Sequence, residues 1–599
     1  MQNPESIYKE RIEKYSAQSG KLIKQLGLIS FLRLLSFIIA LVSLIFLTKV
    51  SPAAGICTLF FFLVCFFLLV KRYQVLSRKN THTKNLLQVN SEELSSLKHI
   101  YNQFDGGAEF INPSHPFTPD LDIFGAGSVF QYLNRTTTLK GKQILADWLS
   151  FPCRDISIIL RTQEAVRELA TMTDNRQNFR ATGKMNQETT SEMQHILEWL
   201  QEKNRYYRNI YYQIICYALP VLTLILLTAN IIHHGFAVYV VYLFIMQLLF
   251  VAMHLRYNNK VHGKMGKKLE LFKKYGELFR YIEQEKYQSE RISGIQHQLK
   301  SDVQGARDRI KRLSSIISAF DNRLNILAGV ILNGFLLWDI QCVMRLEKWK
   351  EKNKDKVIRW FSALGEYDAL CSLSNFAFNH PEFVFPEPDT GIILDFKQTG
   401  HPLIPSDSRI DNDIQISRLG EFVIITGANM AGKSTFLRTV SVNLILGMAG
   451  APVCARDARF CPVEIFSSMR TSDSLQKNES YFYAELKRLS ELFEKLEKGK
   501  KLFIVLDEIL KGTNSADKQK GSRVVLEKII KLNGAGLIAT HDLDLAGLEK
   551  KYPDNLKNKC FEIELDGDKI QFDYKLYDGI TKRMNALLLM QQMGIISDN

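Results

Sequence analysis

The chain has 599 residues, 46% hydrophobic and 23% charged, with 77 Lys and Arg against 63 Asp and Glu for a formal net charge of +14. That is enough for several domains with a sizeable core, and it excludes a disordered or low-complexity chain. The nine cysteines, Cys153, Cys371, Cys454, Cys461 and Cys560 among them, form no C-x-x-C pair, and Cys57, Cys65 and Cys216 sit in apolar runs; this points to reduced, buried thiols and away from a metal site.

In chain order, residues 1–26 read as a short basic segment. Apolar runs follow: Arg33 to Lys49 encloses 15 uncharged residues, Lys49 to Lys71 encloses 21, and Arg208 to Arg256 encloses 47. About 20 apolar residues cross a bilayer, so 27–72 reads as a transmembrane hairpin turned at Ser51-Pro52, and 209–255 as a second, turned at His233-His234-Gly235. A cleaved signal peptide is not expected, because the apolar stretch starts only near Leu26 and a second span follows without a small-residue cleavage site. Lys21, Lys24, Arg33, Lys71, Arg72, Arg78 and Lys79 flank the first hairpin; Lys203, Arg205, Arg208, Arg256, Lys260 and Lys264 flank the second; an outer turn holds only Lys49. Positive charge stays inside, so both hairpins should start and end in the cytoplasm, giving a multi-pass protein of the cell (inner) membrane. These flanks account for much of the net charge, and an anionic partner is the other source.

Residues 73–208 are hydrophilic. Leu255 to Arg312 lacks proline and carries 15 basic against 7 acidic residues, which predicts a long, partly exposed helix or coiled coil near anionic lipid, with a nucleic-acid groove as the alternative. Leu324 to Trp338 is apolar over 15 residues but contains Asn325 and Asn333 and is followed by Asp339; it is read as a buried core helix. Pro381, Pro386, Pro388, Pro402 and Pro405 punctuate the start of the last domain, 401–599, where Phe422–Thr426, Leu502–Leu506 and Leu537–Thr540 alternate with helical patterns, as in a largely parallel α/β sheet.

The chemistry lies in that domain. Gly427-Ala428-Asn429-Met430-Ala431-Gly432-Lys433-Ser434 fits G-x-x-x-x-G-K-[ST], after a strand and before a helical run from Thr435. Its backbone N–H groups can wrap phosphates, Lys433 can reach the β- and γ-phosphates, and the Ser434 hydroxyl can ligate Mg²⁺. The strand Leu502–Leu506 delivers Asp507, suited to Mg²⁺, and Glu508, suited to activating the attacking water. Ala539-Thr540-His541 closes a third strand, placing His541 to sense or orient at the γ-phosphate.

These residues resemble the MutS family of ATPases, relatives of ABC-transporter nucleotide-binding domains. The matching segments are Thr426 to Thr435 with its internal Asn429-Met430, Leu506 to Thr513, and Ala539-Thr540-His541. Ser472-Asp473-Ser474-Leu475 and Glu479-Ser480-Tyr481-Phe482-Tyr483-Ala484-Glu485-Leu486 look like the family's signature segment, which implies that Ser480 contacts nucleotide held by a partner subunit, in a homodimer with composite sites. Leu133-Asn134-Arg135-Thr136-Thr137-Thr138, Trp148 to Pro152, Arg161 to Val166, Tyr367 to Leu370 and His401-Pro402-Leu403 look like its core domain. The likeness implies two parts of one core, 73–208 and 256–400, with an outgoing lever helix near 175–208 and a returning one near 255–318. Arg409-Ile410 stands where the family often places an aromatic residue against adenine, implying an Arg stacking contact. Departures are equally specific. The first hairpin leaves no room for mismatch-reading and connector domains, the second replaces the DNA clamp, and no nuclease domain is expected after the dimerising-type segment Tyr577 to Gly594.

The expectation is therefore an α/β P-loop ATPase domain of ABC/MutS type on an all-α core and lever domain carrying two transmembrane helical hairpins. ATP and Mg²⁺ are the expected cofactors; a second copy, the bilayer and possible mismatched or structured DNA are the expected partners. The alternatives are a membrane-tethered repair or recombination factor binding duplex or branched DNA, and an ABC-type transporter. The transporter is disfavoured by spans with almost no polar residues to form a substrate path.

Overall fold

A computed structural model describes residues 3–186, 188–300, 304–469, 481–511, 513–566 and 569–581. It opens with two helices, Pro4–Val50 and Pro52–Ser96, lying antiparallel along each other. Between them Ser51 is extended, and Pro52 starts the second helix at a position where its missing N–H costs nothing. At 47 residues the first helix is about 70 Å long, more than twice a hydrocarbon core. Its lower part packs on the helical core. Within the basic segment 1–26, residues 4–26 are the first six or so turns of this helix, with Tyr8 buried against Asn379 at 2.6 Å and Ser19 bonded to Asn80 at 3.1 Å. The apolar parts of both helices are uncovered: Phe31 and Phe46 of the first and Phe60 and Phe67 of the second are all more than 60% exposed.

The second apolar pair, Ile210–His233 and Ala237–Met253, turns through His234 to Phe236, where Asn230 Oδ1 accepts from the Gly235 and Phe236 N–H groups. Inside it Gln247 donates to Thr223 Oγ1 at 2.6 Å, and both side chains are buried. Among the described residues three helices are long and apolar enough to cross a membrane, Pro4–Phe46, Pro52–Ser96 and Ile210–His233; two bent pairs, Ala237–Met253 with Leu255–Met265 and Ala306–Leu324 with Ile326–Leu336, bring the number to as many as five.

Two readings of the charged region are corrected. Residues 255–321 form no single long helix but Leu255–Met265, Leu269–Gln284, Glu290–Leu299 and Ala306–Asp321, folded on one another and on the core. The apolar stretch after them is no core helix either. Ile326–Leu336 leaves its predecessor at 111° and packs on the second apolar pair, Gly334 against Phe244 and Phe335 against Phe244, while Leu324, Ile326, Leu327 and Ile331 stay exposed. Of the nine thiols, six are buried and Cys57 is exposed on the apolar hairpin.

The helical core starts its helices with side-chain caps: Thr138 on Leu139–Ser150, Asp155 on Ile156–Thr171, and a Thr189–Glu192 capping box on Thr190–Gln201. Its axis is Trp338–Asn379, 42 residues long. Asp368 on that axis accepts from Thr137 N, Thr138 N and Thr138 Oγ1 at 2.7–2.9 Å, which fastens the Arg135–Thr138 loop to it. Gly141 permits the approach; a Cβ there would lie 2.5 Å from Asp368 Oδ2.

Above the axis's end, Glu93 of Pro52–Ser96 is wholly buried and bound by Arg135 Nε at 2.6 Å, by Arg180, by Asn375 at 2.8 Å and by Asn379 at 3.0 Å. Burial alone would raise its pKa; Arg135 and Arg180 overturn that and hold it down to about 2.

The C-terminal domain is α/β. Its strands in chain order are β1 Glu387–Pro388, β2 Leu394–Thr399, β3 Asn412–Ile416, β4 Phe422–Gly427, β5 Asp457–Phe460, β6 Glu464–Ser468, β7 Leu502–Asp507, β8 Ala535–Ala539, β9 Leu556–Phe561, β10 Glu564–Asp566, β11 Lys569–Gln571 and β12 Leu576–Asp578. Among the described residues the main sheet runs β12-β9-β4-β8-β7-β6, parallel except for the edge strand β12, and a smaller sheet runs β1-β5-β2-β3. The central strands are fully buried runs such as Phe-Val-Ile-Ile in β4, the pattern of a parallel sheet covered on both faces. The domain is bolted to the core through Asp120, which accepts from Ser467 Oγ at 2.6 Å, and through Arg488, which donates to the Pro116 carbonyl at 2.7 Å.

Candidate active site

Register assembles the site. Ile425 of β4 pairs with Ala539 of β8, and Ala539 pairs with Asp507 of β7, so the loop after β4, the acidic pair and His541 all emerge side by side at the carboxyl edge of the sheet. Gly427 has φ +152 and no room for a Cβ, which would sit 2.9 Å from Phe561 O. Met430 and Gly432 have φ +65 and +100, and the helix Lys433–Met448 begins immediately after. The loop thus bends back over the helix N-terminus, presenting backbone N–H groups to an anion.

Lys433 is buried, its ammonium donating to Gly427 O at 2.9 Å and Ala428 O at 2.8 Å and lying 3.2 Å from His541 Nε2. Burial pulls its pKa below the ordinary lysine value, against the pull of Asp507 and Glu508. Ser434 Oγ donates to Asp507 Oδ2 at 2.6 Å. A hydroxyl and a carboxylate placed side by side are the hard oxygens that Mg²⁺ takes from protein in nucleotide sites, where phosphates and water supply the rest. The pair fits that ion, which when bound there would neutralise charge on the phosphates.

Glu508 sits in the left-handed region, φ +51, with its N–H bonded to Ala539 O at 2.9 Å. Such a conformation is costly for glutamate and turns its carboxylate out of the sheet toward the loop. It lies 3.1 Å from His541 Nε2 and 3.4 Å from Lys518 Nζ. Burial, then Lys433, lowers the His541 pKa, so the ring is neutral at pH 7. Because one nitrogen faces both groups, that ring accepts from Lys433 or donates to Glu508, and cannot do both at once.

A cavity of about 710 Å³ gathers these side chains with Asn429, Met430, Thr435, Arg409, Ile410 and Tyr574. Arg409 is tied to Asp411 at 2.7 Å, and its guanidinium lies 5.8 Å from the Phe383 ring centroid, so it forms the cavity wall with both of those contacts already made. Tyr574 escaped the sequence reading. It lies on the loop, 3.1 Å from where a Gly432 Cβ would be, and is stacked on Phe572. Its only signal in the sequence is an aromatic pair, Phe572-Asp573-Tyr574, after a strand hairpin. Ala428 and Ala431 are buried backing for the loop, whereas Met430 is 76% exposed. Ser480 and Gly512, with Ser472–Leu475 and the segment from 582 onward, lie outside the described residues.

The fold and this site define a P-loop nucleotide-binding domain seated on a helical core. Two family profiles match the chain: MutS domain III over residues 118–374 and MutS domain V over residues 423–595. The chain belongs to the MutS family. Its relatives include the DNA mismatch repair protein MutS of Thermotoga maritima, 31% identical over 251 residues, 41% of this chain and 31% of that protein. The same-named protein of Ehrlichia chaffeensis is 29% identical over 300 residues, 49% of this chain and 35% of that one. The human MutS protein homolog 4 is 32% identical over 225 residues, 36% of this chain and 23% of that one. The chain spans about a third or less of the length of the curated relatives it matches.

Proposed function

We propose that this chain is a membrane-anchored MutS-type ATPase that hydrolyses ATP with Mg²⁺ in a homodimer and passes the change to its apolar hairpins. The observation that carries the chemistry is the convergence of Lys433, Ser434, Asp507, Glu508 and His541 at one sheet edge. Lys433 and the loop N–H groups hold the β- and γ-phosphates; Ser434 and Asp507 would hold Mg²⁺; adenine lies between Ile410 and Tyr574. Water attacks the γ-phosphorus, Glu508 takes its proton, and phosphate departs from ADP. His541 exchanges its bond between Lys433 and Glu508 as the γ-phosphate comes and goes. By family likeness Ser480 reaches nucleotide on the second subunit.

Coupling is supported by Trp338–Asn379. Near its start Gln341 donates to Cys216 O of the second apolar pair at 3.0 Å, near its end Asn375 and Asn379 hold Glu93 of the first, and just beyond that end Phe383 lies against Arg409 of the nucleotide cavity. Orientation follows the positive-inside flanks, with the ATPase and core in the cytoplasm and the hairpins in the cell (inner) membrane. Glu508→Gln should lower turnover by roughly two to four orders of magnitude while nucleotide binding persists; turnover at the wild-type rate would remove Glu508 from this role.

A second reading, binding of duplex, mismatched or branched DNA, is favoured by the likeness to bacterial proteins named for DNA mismatch repair. Titration of detergent-purified protein with each DNA form across salt separates the readings: a structure preference with a steep salt slope supports DNA recognition.

A further inference from the structure

A cavity of about 590 Å³ opens between three helices, Pro52–Ser96, Leu269–Gln284 and Ala306–Asp321. Arg78, Lys273, Arg307 and Lys311 line it with Ser318, against a single lining acid, Glu277. That acid is already held by Arg280 at 3.0 Å, and Lys273 is shared with Glu270 at 2.6 Å. The cavity is therefore a concentration of positive charge with hydroxyl lining.

Its position is as informative as its charge. Arg78 stands eight residues beyond Val70, where the long apolar run ends, about 12 Å along the helix axis. Asn322 closes the rim on the other side, and two residues later the chain enters the uncovered apolar element, Leu324 and then Ile326–Leu336. That helix has 11 residues, about 16 Å, which is too short to cross a bilayer but enough to lie in one leaflet. A cationic pocket beside a bare apolar helix is the complement of an amphiphile with an anionic head.

We propose that this cavity binds the phosphate of an anionic phospholipid whose acyl chains lie along Ile326–Leu336. Guanidinium groups pair with phosphate oxygens in a fork geometry, and basic residues next to a membrane select anionic heads. A nucleic-acid backbone would match the cations but leave the apolar helix uncovered, so lipid is the better occupant. The site rests on the membrane reading above and names a partner within it.

The test uses the full chain in detergent, stripped of its own lipid and titrated with dioleoylphosphatidylglycerol or dioleoylphosphatidylcholine while native mass spectrometry follows bound lipid. The phosphatidylglycerol should be retained in preference. Arg307→Gln with Lys311→Gln, both on the cavity surface, should weaken it roughly 30-fold, each cation near an anionic head contributing a factor of about 5. Ile326→Ser with Leu327→Ser should weaken both lipids. Equal retention of the two lipids, or unchanged binding by the double Gln variant, overturns the proposal. So does displacement of phosphatidylglycerol by millimolar inorganic phosphate or by duplex DNA, which would make this a free-phosphate or nucleic-acid site. Alkaline extraction of membranes carrying the wild type tests anchoring separately. Release by alkali sinks the membrane reading, and the micelle titration still decides the lipid site, so the two failures are told apart.

Discussion

Two clusters of buried charge in this molecule invite comparison, the nucleotide cavity and the node around Glu93. At the node each charge meets its opposite: two carboxylates, Glu92 and Glu93, two guanidiniums and two amides complete one another, drawn from both the helix Pro52–Ser96 and the core. In the nucleotide cavity Lys433 bonds to two carbonyls and faces an imidazole, and Glu508 holds a strained backbone to reach the same imidazole. The first arrangement is closed and structural; the second leaves its cation with neutral acceptors, the arrangement suited to an anion from outside the chain. Charge burial alone thus does not mark a functional site. How completely the chain satisfies its own charges does.

The largest effect that could break this contrast is at Glu93. Glu93→Gln leaves Arg135 buried without its counter-charge and Arg180 with Glu92 alone, and should cost about 3–5 kcal/mol of stability, read by denaturant or thermal unfolding in detergent, with turnover per folded molecule unchanged. A Gln variant as stable as the wild type would make the node dispensable.

Acid should expose the same difference with a definite sign. The Glu93 pKa is depressed from its ordinary 4.5 to about 2, so its contribution is complete above the unfolded value and is lost as pH falls from 4.5 toward 2. Unfolding curves of wild type and Glu93→Gln should converge across that window; parallel curves would mean that the guanidiniums do not set the shift.

The smallest effect belongs to the nucleotide cavity. Tyr574→Ala should raise the apparent KM for ATP by roughly 2- to 10-fold, the worth of one aromatic stacking contact, and leave kcat near the wild-type value. A fall in kcat with KM unchanged would place Tyr574 in the chemistry instead of against the base.

What could be read from sequence follows how far apart the cooperating residues lie. The loop Gly427–Ser434, Asp507-Glu508 and His541 each announce themselves in a few contiguous residues at strand ends, and register alone brings them together. Tyr574 was missed because it folds over Gly432 from more than a hundred residues away, with nothing local to mark it. The Glu93 node draws on residues 8, 93, 135, 180, 375 and 379, a set no local pattern contains. Residues 255–312 lack proline and look continuous, yet a break at Glu285–Ser289 divides them and Gly305 caps a separate helix, since packing on the core outweighs helix propensity. The mostly apolar stretch 324–338 describes a core helix and an uncovered surface one equally well, and only the 111° bend and the bare face tell them apart.

The length of Trp338–Asn379 has one more consequence. Forty-two residues of helix make a rod of about 63 Å, gripped at one end beside Cys216 and at the other beside Glu93. For a stiff rod of that length, a rotation of about 5° around one grip carries the opposite end through roughly 5 Å. On the coupling proposed above, a movement of the nucleotide cavity wall too small to alter any local bond would reach the apolar end of the molecule enlarged to the width of a side chain.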